Sequence, residues 1–535
     1  MPVQPASSCR VHRSFDIVVV GAGNAGFSAA ISAAESLGPD LGNRVLLIDK
    51  CPEDWAGGNS YFTAGAMRAV HAGLGDVLPL VNNVDANTAK SIDLNPYTRE
   101  DFIRDLHRVT DGRFDRSLGE ILVNDSNATV KWLSGHGVRY QLSFNRQAYK
   151  VDGRYKFWGG MCLKTDSGGK GLIQDYQAAC KRLGVTVWHS IAAKQILLDP
   201  ATGSFSSLMG EMATGDTVEI RAAALVLAAG GFEANPRMRA QYLGPGWDLA
   251  HVRGTPYNTG EVLEIAMRDI SAKQGGHWSG CHATAWDANS PQHSGDRTIS
   301  NEFTKSGYPL GVTLNTQGER FFDEGSDLRN YTYAKFGKSI LGQPGGTAFQ
   351  VWDAKGIPWL RSEEYRDDIV EKIHGSTLEE LAENCAKVGL ENPIRFVEEV
   401  KEYNGAVRFF QQENIDKKWD PTIKDGLSTQ SSQKYLRIPK SNWALPIDES
   451  PYMAVKVRCG VTFTFGGLAI DAESSGVISN LTGQPVPGVF CCGEMVGGLF
   501  YQNYPGGSGL TAGAVFGRRA GQCAANIVNS MKAEK

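Results

Sequence analysis

The chain has no CxxC, no CxxCH and no tight group of cysteines; its ten, at 9, 51, 162, 180, 281, 385, 459, 491, 492 and 523, are scattered over 535 residues. This excludes a sequence-visible iron–sulfur, zinc-ribbon or c-type haem site and is no disulfide framework. Reduced, mostly buried thiols are expected, with Cys491 and Cys492 in the core. There is no excess of positive charge either: 54 Lys and Arg against 58 Asp and Glu leave −4. A polyanion finds no basic face, so nucleic acid is not an expected partner. Long apolar runs are missing. The longest charge-free stretch, Ile17 to Ala34, holds Gly21, Gly23, Asn24, Gly26, Ser28 and Ser32, and reads as strand, turn and helix rather than a membrane span. The first fourteen residues are polar without an apolar h-region, and the last three are no peroxisomal address, so a cytoplasmic location is the default expectation. His277 and His282 lack the HExxH spacing, and no metal site is expected.

What is plentiful is glycine, 62 residues, well above the usual ~7% and without collagen-like period. Such usage suggests many places where backbone approaches a ligand or other backbone closely. Length gives a soft prior of two to four domains. Asp16–Val20 reads as a buried strand, Phe27–Leu37 as an alanine-rich helix and Arg44–Asp49 as a second buried strand, a βαβ unit that implies a parallel sheet. Helical periodicity returns over 101–108 and 118–133, and strands are expected within 185–198 and 218–228. From 277 to 440 the texture is richer in Trp, Tyr and charge, with a helical pair over 377–411 opened by a Ser376/Thr377 cap. After about 445 the glycine-rich apolar texture resumes. The organisation expected is a tail over 1–14, a nucleotide-binding domain from 15–276 and 441–535, and a second domain from 277–440 inserted between them.

Gly21-Ala22-Gly23-Asn24-Ala25-Gly26 is a GxGxxG that follows a strand, opens a helix and precedes a strand ending in Asp49. Gly21 permits the tight turn, Gly23 lets backbone reach a pyrophosphate, Gly26 lets helix and strand pack closely, and Asp49 accepts ribose hydroxyls. The fingerprint does not choose between FAD and NAD; other stations do. Gly57-Gly58-Asn59-Ser60 with Thr63-Ala64-Gly65, Leu225 to Gly231 with its Ala229–Gly230 step, and Gly493-Glu494 with Ser508-Gly509-Leu510 are distant in sequence. An extended FAD contacted from both chain ends needs such stations, whereas one NAD fingerprint does not. Lys50 and Ala193 complete the expected cofactor contacts.

In these segments, in the Tyr257-Asn258-Thr259-Gly260-Glu261 turn and in the terminal stretch from Cys492 to Gly521, the sequence resembles the fumarate reductase/succinate dehydrogenase flavoprotein family over nearly its whole length. Arg320 to Lys335, Trp278 to Ala283, Thr462 to Gly467 and Gly497 to Gly506 are most similar to the tricarballylate dehydrogenase, CobZ-like branch. The resemblance implies an α/β fold: a Rossmann-like FAD-binding domain of the GR2 type with an inserted α+β capping domain, mobile over flavin and substrate. With no histidine between Lys50 and Val70, it implies noncovalent FAD.

The family interconverts a CH–CH unit beside a carbonyl or carboxylate with the alkene, by hydride transfer at flavin N5, and an arginine on the capping domain shuttles the proton. By that resemblance Arg329 is the candidate, with Glu324 or Asp327 as its carboxylate neighbour. Two family groups are replaced here: a histidine by Phe463 and a carboxylate-binding arginine by Tyr504. Fumarate and succinate are therefore poor substrate expectations. Phe463, Phe465, Phe500, Tyr501 and Tyr504 would form an aromatic wall, with Tyr504 the better candidate for proton transfer. His282 falls where the resemblance puts a substrate contact, and Arg253 is suited to a carboxylate. Apart from Arg253 and Arg329 the expected pocket is short of cationic groups. Tricarballylate-like oxidation and desaturation or ene-reduction of a larger metabolite stay open. So does a flavin-binding subunit whose chemistry a partner supplies, and an NAD enzyme without flavin is the remaining alternative. The electron acceptor, whether quinone, oxygen, flavin or a redox protein, would be separate.

Overall fold

A computed structural model describes residues 11–533. From the amino end it runs through β1 (Val11–Ser14), β2 (Ile17–Val20), α1 (Asn24–Leu37), β3 (Val45–Ile48), α2 (Arg99–Thr110), α3 (Arg116–Gly135), β4 (Thr186–Trp188), β5 (Thr217–Arg221) and β6 (Ala224–Leu227). It continues through β7 (Gln274–Asp287), α4 (Arg329–Leu341), β8 (Ala348–Trp352), α5 (Leu378–Ala386), α6 (Pro393–Glu413), β9 (Tyr452–Leu468), β10 (Gly476–Ile478), β11 (Pro485–Cys491) and α7 (Ser508–Ala533). The expected tail is corrected at its inner end: β1 pairs in parallel with Val218–Arg221 of β5, and residues 1–10, with Cys9, lie outside the described residues.

Six strands form one sheet in the order β4-β3-β2-β6-β11-β10. β2 runs parallel to β3 and β6, and β11 parallel to β6, so both chain ends meet in it. Its strands β2 and β3 are uninterrupted Val, Ile and Leu because they are buried on both faces, which removes the alternation of a half-exposed strand. Cys491 and Cys492 lie buried at the end of β11, and among the described residues nine cysteines are free.

Helix α7 lies against α1, and small residues permit it. A Cβ on Gly513, Gly517 or Gly521 would come within 2.3, 2.4 and 2.2 Å of Asn24, of the Ala25 carbonyl and of the Ala29 carbonyl. Spaced four apart, these glycines form one stripe along α7. The contact carries the start of α7 to the glycine-rich turn before α1.

The second layer is built on β9, which pairs antiparallel with β8 through Met453–Val457 and with β7 farther along. Helices α5 and α6 cover it through Leu381, Phe396, Val400, Tyr403 and Val407, all buried. The expected Thr377 cap is present, its hydroxyl accepting from the Glu380 amide at 3.1 Å. The architecture is a Rossmann-like α/β part with an inserted α+β cap. Among the described residues no helix is long and apolar enough to cross a membrane.

Candidate active site

The carboxyl ends of β2, β3, β6 and β11 open on one elongated cavity, the usual ligand position in a doubly wound sheet. It is lined by Gly21, Gly23, Asn24 and Ala25, by Asp49 and Lys50, by Gly58, Asn59, Ser60 and Thr63, by Ala193, Ala229 and Gly230, by Asn258 and Gly260, and by Gly493 and Glu494. Gly509 and Leu510 of α7 close it. Asn24 links the two chain ends: its amide NH2 donates to the Leu510 carbonyl at 2.9 Å, and its backbone N–H to Ser60 Oγ at 3.1 Å. Asp49 accepts from the amides of Ala22 at 2.7 Å and Cys51 at 2.9 Å, and each oxygen keeps a lone pair. Lys50 donates to the Thr259 hydroxyl at 2.6 Å and pairs with Glu261.

The glycines divide by what surrounds them. A Cβ on Gly21 would lie 2.3 Å from the Ala228 carbonyl, so that residue serves the fold. At Gly23, whose backbone is extended, a Cβ would meet nothing closer than 3.8 Å. The space beside Gly23 opens into the cavity at the first turn of α1, whose amides have no intrahelical acceptors, so the residues present fit a pyrophosphate. Gly26, Gly57, Gly65, Thr259 and Ser508, expected as cofactor contacts, are not among the lining residues. Gly26 packs on the Gly21 carbonyl, Gly57 on Ile173 and Gly65 on Thr165. Thr259 is taken up by Lys50, and Ser508 by the Pro505 carbonyl at 2.6 Å.

The far half of the cavity is enclosed by the cap. Arg253, His282, Arg329, Phe463 and Tyr504 all line it, as expected from the sequence. Arg253 donates to the Thr462 hydroxyl at 3.2 Å, to Asn301 at 2.6 Å and to His282 Nε2 at 3.2 Å, while its buried Nε has no protein partner. Burial, then the charge of Arg253, holds His282 well below the usual imidazole range, so it is neutral. Burial lowers Arg253 as well. Arg329 is lowered by burial and then by Arg361. Tyr504 packs edge-on against Phe463 and Phe500 at 5.6 Å each and against His282 at 5.1 Å, and its hydroxyl lies 2.7 Å from that of Tyr333.

Two expected contacts are corrected. Glu324 is fully buried away from the cavity, bonded to Arg320 four residues back and accepting from the Thr313 amide at 2.8 Å. Tyr501 is not among the lining residues and stacks instead on His277 at 5.5 Å, whose Nδ1 accepts from the Gln502 amide at 3.1 Å. Asp327 lies 3.5 Å from Arg108. The carboxylate acting on Arg329 is instead Glu364: burial would raise it, but Arg361, Arg146 and Arg329 together hold it at about 2.

Sequence reasoning missed Tyr333, Arg146 and Arg361, all of which line the cavity. The expected shortage of cationic groups is thereby overturned. Arg361 donates to Glu364 at 2.9 Å, and Arg146 forms an ion pair with Glu363 at 2.9 Å. Tyr333 could have been found, since it lies one helical turn after Arg329; Arg146 and Arg361 carry no local signal.

Known proteins match along nearly the whole chain. A "Probable fumarate reductase Ifc3" of Shewanella frigidimarina is 27% identical over 527 residues, covering 98% of this chain and 77% of that protein. A "Vinyl phenol reductase" of Lactiplantibacillus plantarum is 26% identical over 527 residues, covering 97% and 98%. Among solved structures, the open conformation of a flavocytochrome c3 fumarate reductase superimposes with a TM-score of 0.69 at 25% identity, covering 96% of this chain and 78% of that one. The family model for the FAD binding domain matches residues 16–510, and the chain belongs to that family.

Proposed function

We propose that the chain, an FAD-dependent oxidoreductase, moves hydride between flavin N5 and a CH–CH or C=C unit that stands beside a carboxylate. The charge of the cavity carries the carboxylate. Arg146, Arg253, Arg329 and Arg361 all line it, and among the described residues only Glu363 and Glu364 form ion pairs with any of the four. Arg253 bonds to neutral partners alone, so a buried guanidinium lacks a counter-ion. Such a group is costly until an anion pairs with it.

The flavin supplies the hydride donor and acceptor. Gly23, Asn24 and Ala25 would hold its pyrophosphate, Asp49 its ribose, and the stations after β6 and β11 the remainder, without a covalent bond. Arg253 binds a substrate carboxylate. Arg329 holds or delivers the proton at the carbon next to the hydride site; Glu364, Arg361, Arg146 and the part-exposed Glu363 continue the charge path outward. Phe463, Phe465 and Phe500 keep water out. The cap over 277–440 closes the substrate half. The second substrate is a separate electron carrier, and the protein works in the cytoplasm.

One observation favours a second reading, a neutral carbonyl compound: the Tyr333–Tyr504 hydroxyl pair sits within an aromatic cluster and can donate to a carbonyl oxygen. The two readings separate in a titration of the flavin spectrum with compounds differing only as carboxylate and methyl ester. The acid should bind about 100-fold more tightly, the worth of a buried charge pair of about 3 kcal/mol. Equal affinity of acid and ester would overturn the carboxylate.

A further inference from the structure

Beneath the cavity two carboxyl groups face each other with too few donors. Glu233, just past β6, is fully buried. Its Oε1 accepts from the side-chain amides of Asn59 and, at 2.6 Å, of Asn258, while its Oε2 has no partner apart from its neighbour Glu494. Glu494 Oε1 accepts from the Thr464 amide at 2.8 Å and its hydroxyl at 3.1 Å. A Cβ built on Gly231 would touch both carboxyls, at 2.2 Å from Glu494 Oε1 and 2.8 Å from Glu233 Oε2. Two carboxylates this close cannot both stay ionised in a buried setting.

We propose that Glu233 and Glu494 share one proton, donated from Glu494 to Glu233, and take up a second from solvent when the bound flavin is reduced.

Among the described residues no cation is bonded to either carboxyl. Arg239 is the nearest, and its donors go to the backbone carbonyls of Glu233, Trp247, Asp248 and Ala250; it acts on Glu233 through space. Cys281 on β7 is a neutral thiol pushed up by burial, as is Cys459 on β9 beside Arg239. Asn59, Asn258 and Thr464 do not titrate. Burial therefore raises both carboxyls, and the charge of Glu233 raises Glu494 further. Glu494 also lines the cavity, so negative charge added there acts on the pair directly.

The balance is simple. Two electrons and one proton reduce the flavin to its anion, and one more proton from solvent turns the singly charged pair neutral; electrons come from whatever reduces the flavin, so no further reactant is needed. The inference rests on FAD occupying the cavity and not on the substrate class.

Holoprotein with its flavin confirmed by absorption, and shown reducible by dithionite, is the sample, which separates failure here from failure of cofactor binding. Infrared difference spectra between oxidised and reduced wild type should show an un-ionised carboxyl band that gains intensity on reduction. The flavin midpoint potential should fall more steeply with pH than in Glu494→Gln or Glu233→Gln. The excess is one proton per two electrons, a tenfold change in equilibrium constant per pH unit, or about 30 mV. No carboxyl band change in the wild type, or the same slope in wild type and in a variant that retains flavin, overturns the proposal. The infrared measurement decides it alone if both variants fail to fold.

Discussion

The hydroxyl of Tyr504, from the loop before α7, lies 2.7 Å from the hydroxyl of Tyr333 on the cap helix α4. Both rings pack edge-on against the neutral His282, at 5.1 and 4.9 Å. Burial raises both phenols above their ordinary range, so both are protonated. One of their two hydrogens fills the mutual bond and the other is free for the cavity.

Where the substrate is a carbonyl compound held by this hydroxyl, Tyr504→Phe should slow flavin reduction or reoxidation by about 10²- to 10⁴-fold, the range for losing a positioned donor, with bound flavin unchanged. Rapid-mixing absorbance of the flavin checks this. Loss of flavin from the variant would assign Tyr504 to cofactor binding instead.

Gly21→Ala and Gly23→Ala should part company. The first drives a methyl into the Ala228 carbonyl and should cost stability and soluble yield. The second has room in the protein, with nothing within 3.8 Å, and should fold normally but lose FAD affinity, because its methyl enters the pyrophosphate space. Thermal melting and flavin content after gel filtration distinguish them. Full flavin occupancy in Gly23→Ala would contradict the cradle.

Glu364 is held at about 2 despite its burial, below the ordinary ~4.3 of an unfolded glutamate. A depressed carboxyl stabilises the fold above the unfolded value, and that contribution is lost as pH falls from about 4.3 toward 2. Melting temperature should drop through that window in the wild type and less steeply in Glu364→Gln. At neutral pH the variant should be less stable by about 3–5 kcal/mol, since Arg361 and Arg146 lose a buried partner.

His282 lies well below the usual imidazole range, so it stays neutral between pH 6 and 8. The pH profile of kcat/KM should show no ionisation near ~6.5, the free imidazole value. An inflection there that disappears in His282→Phe would contradict its neutral state.

The nucleotide half was legible because its signals are local: an unbroken Ile17–Val20 run, glycines on a fixed spacing, and an acid at the end of the next strand. The Gly513, Gly517 and Gly521 stripe could also have been read as a close helix contact. The substrate half was legible only by likeness. Arg329, Arg253 and His282 reach the cavity, but Glu324 is claimed by Arg320, four residues earlier in a non-helical turn whose course the residues do not announce. Arg146, on a short helix over Phe144–Gln147, and Arg361, from a loop, come to the cavity from positions remote in sequence, where nothing in the neighbouring residues distinguishes them from surface arginines. Tyr501 was claimed by a stack on His277, a contact across more than two hundred residues that no local pattern announces.

The central claim is tested most directly by single-turnover reoxidation. Anaerobic, dithionite-reduced protein is mixed with an α,β-unsaturated carboxylate, and the return of oxidised flavin is followed alongside the saturated product. The account predicts one product per flavin in the wild type and a rate at least about 100-fold lower in Arg329→Ala, with flavin still bound. Reoxidation at an equal rate in Arg329→Ala, or by oxygen alone and by no alkene carboxylate, would contradict it.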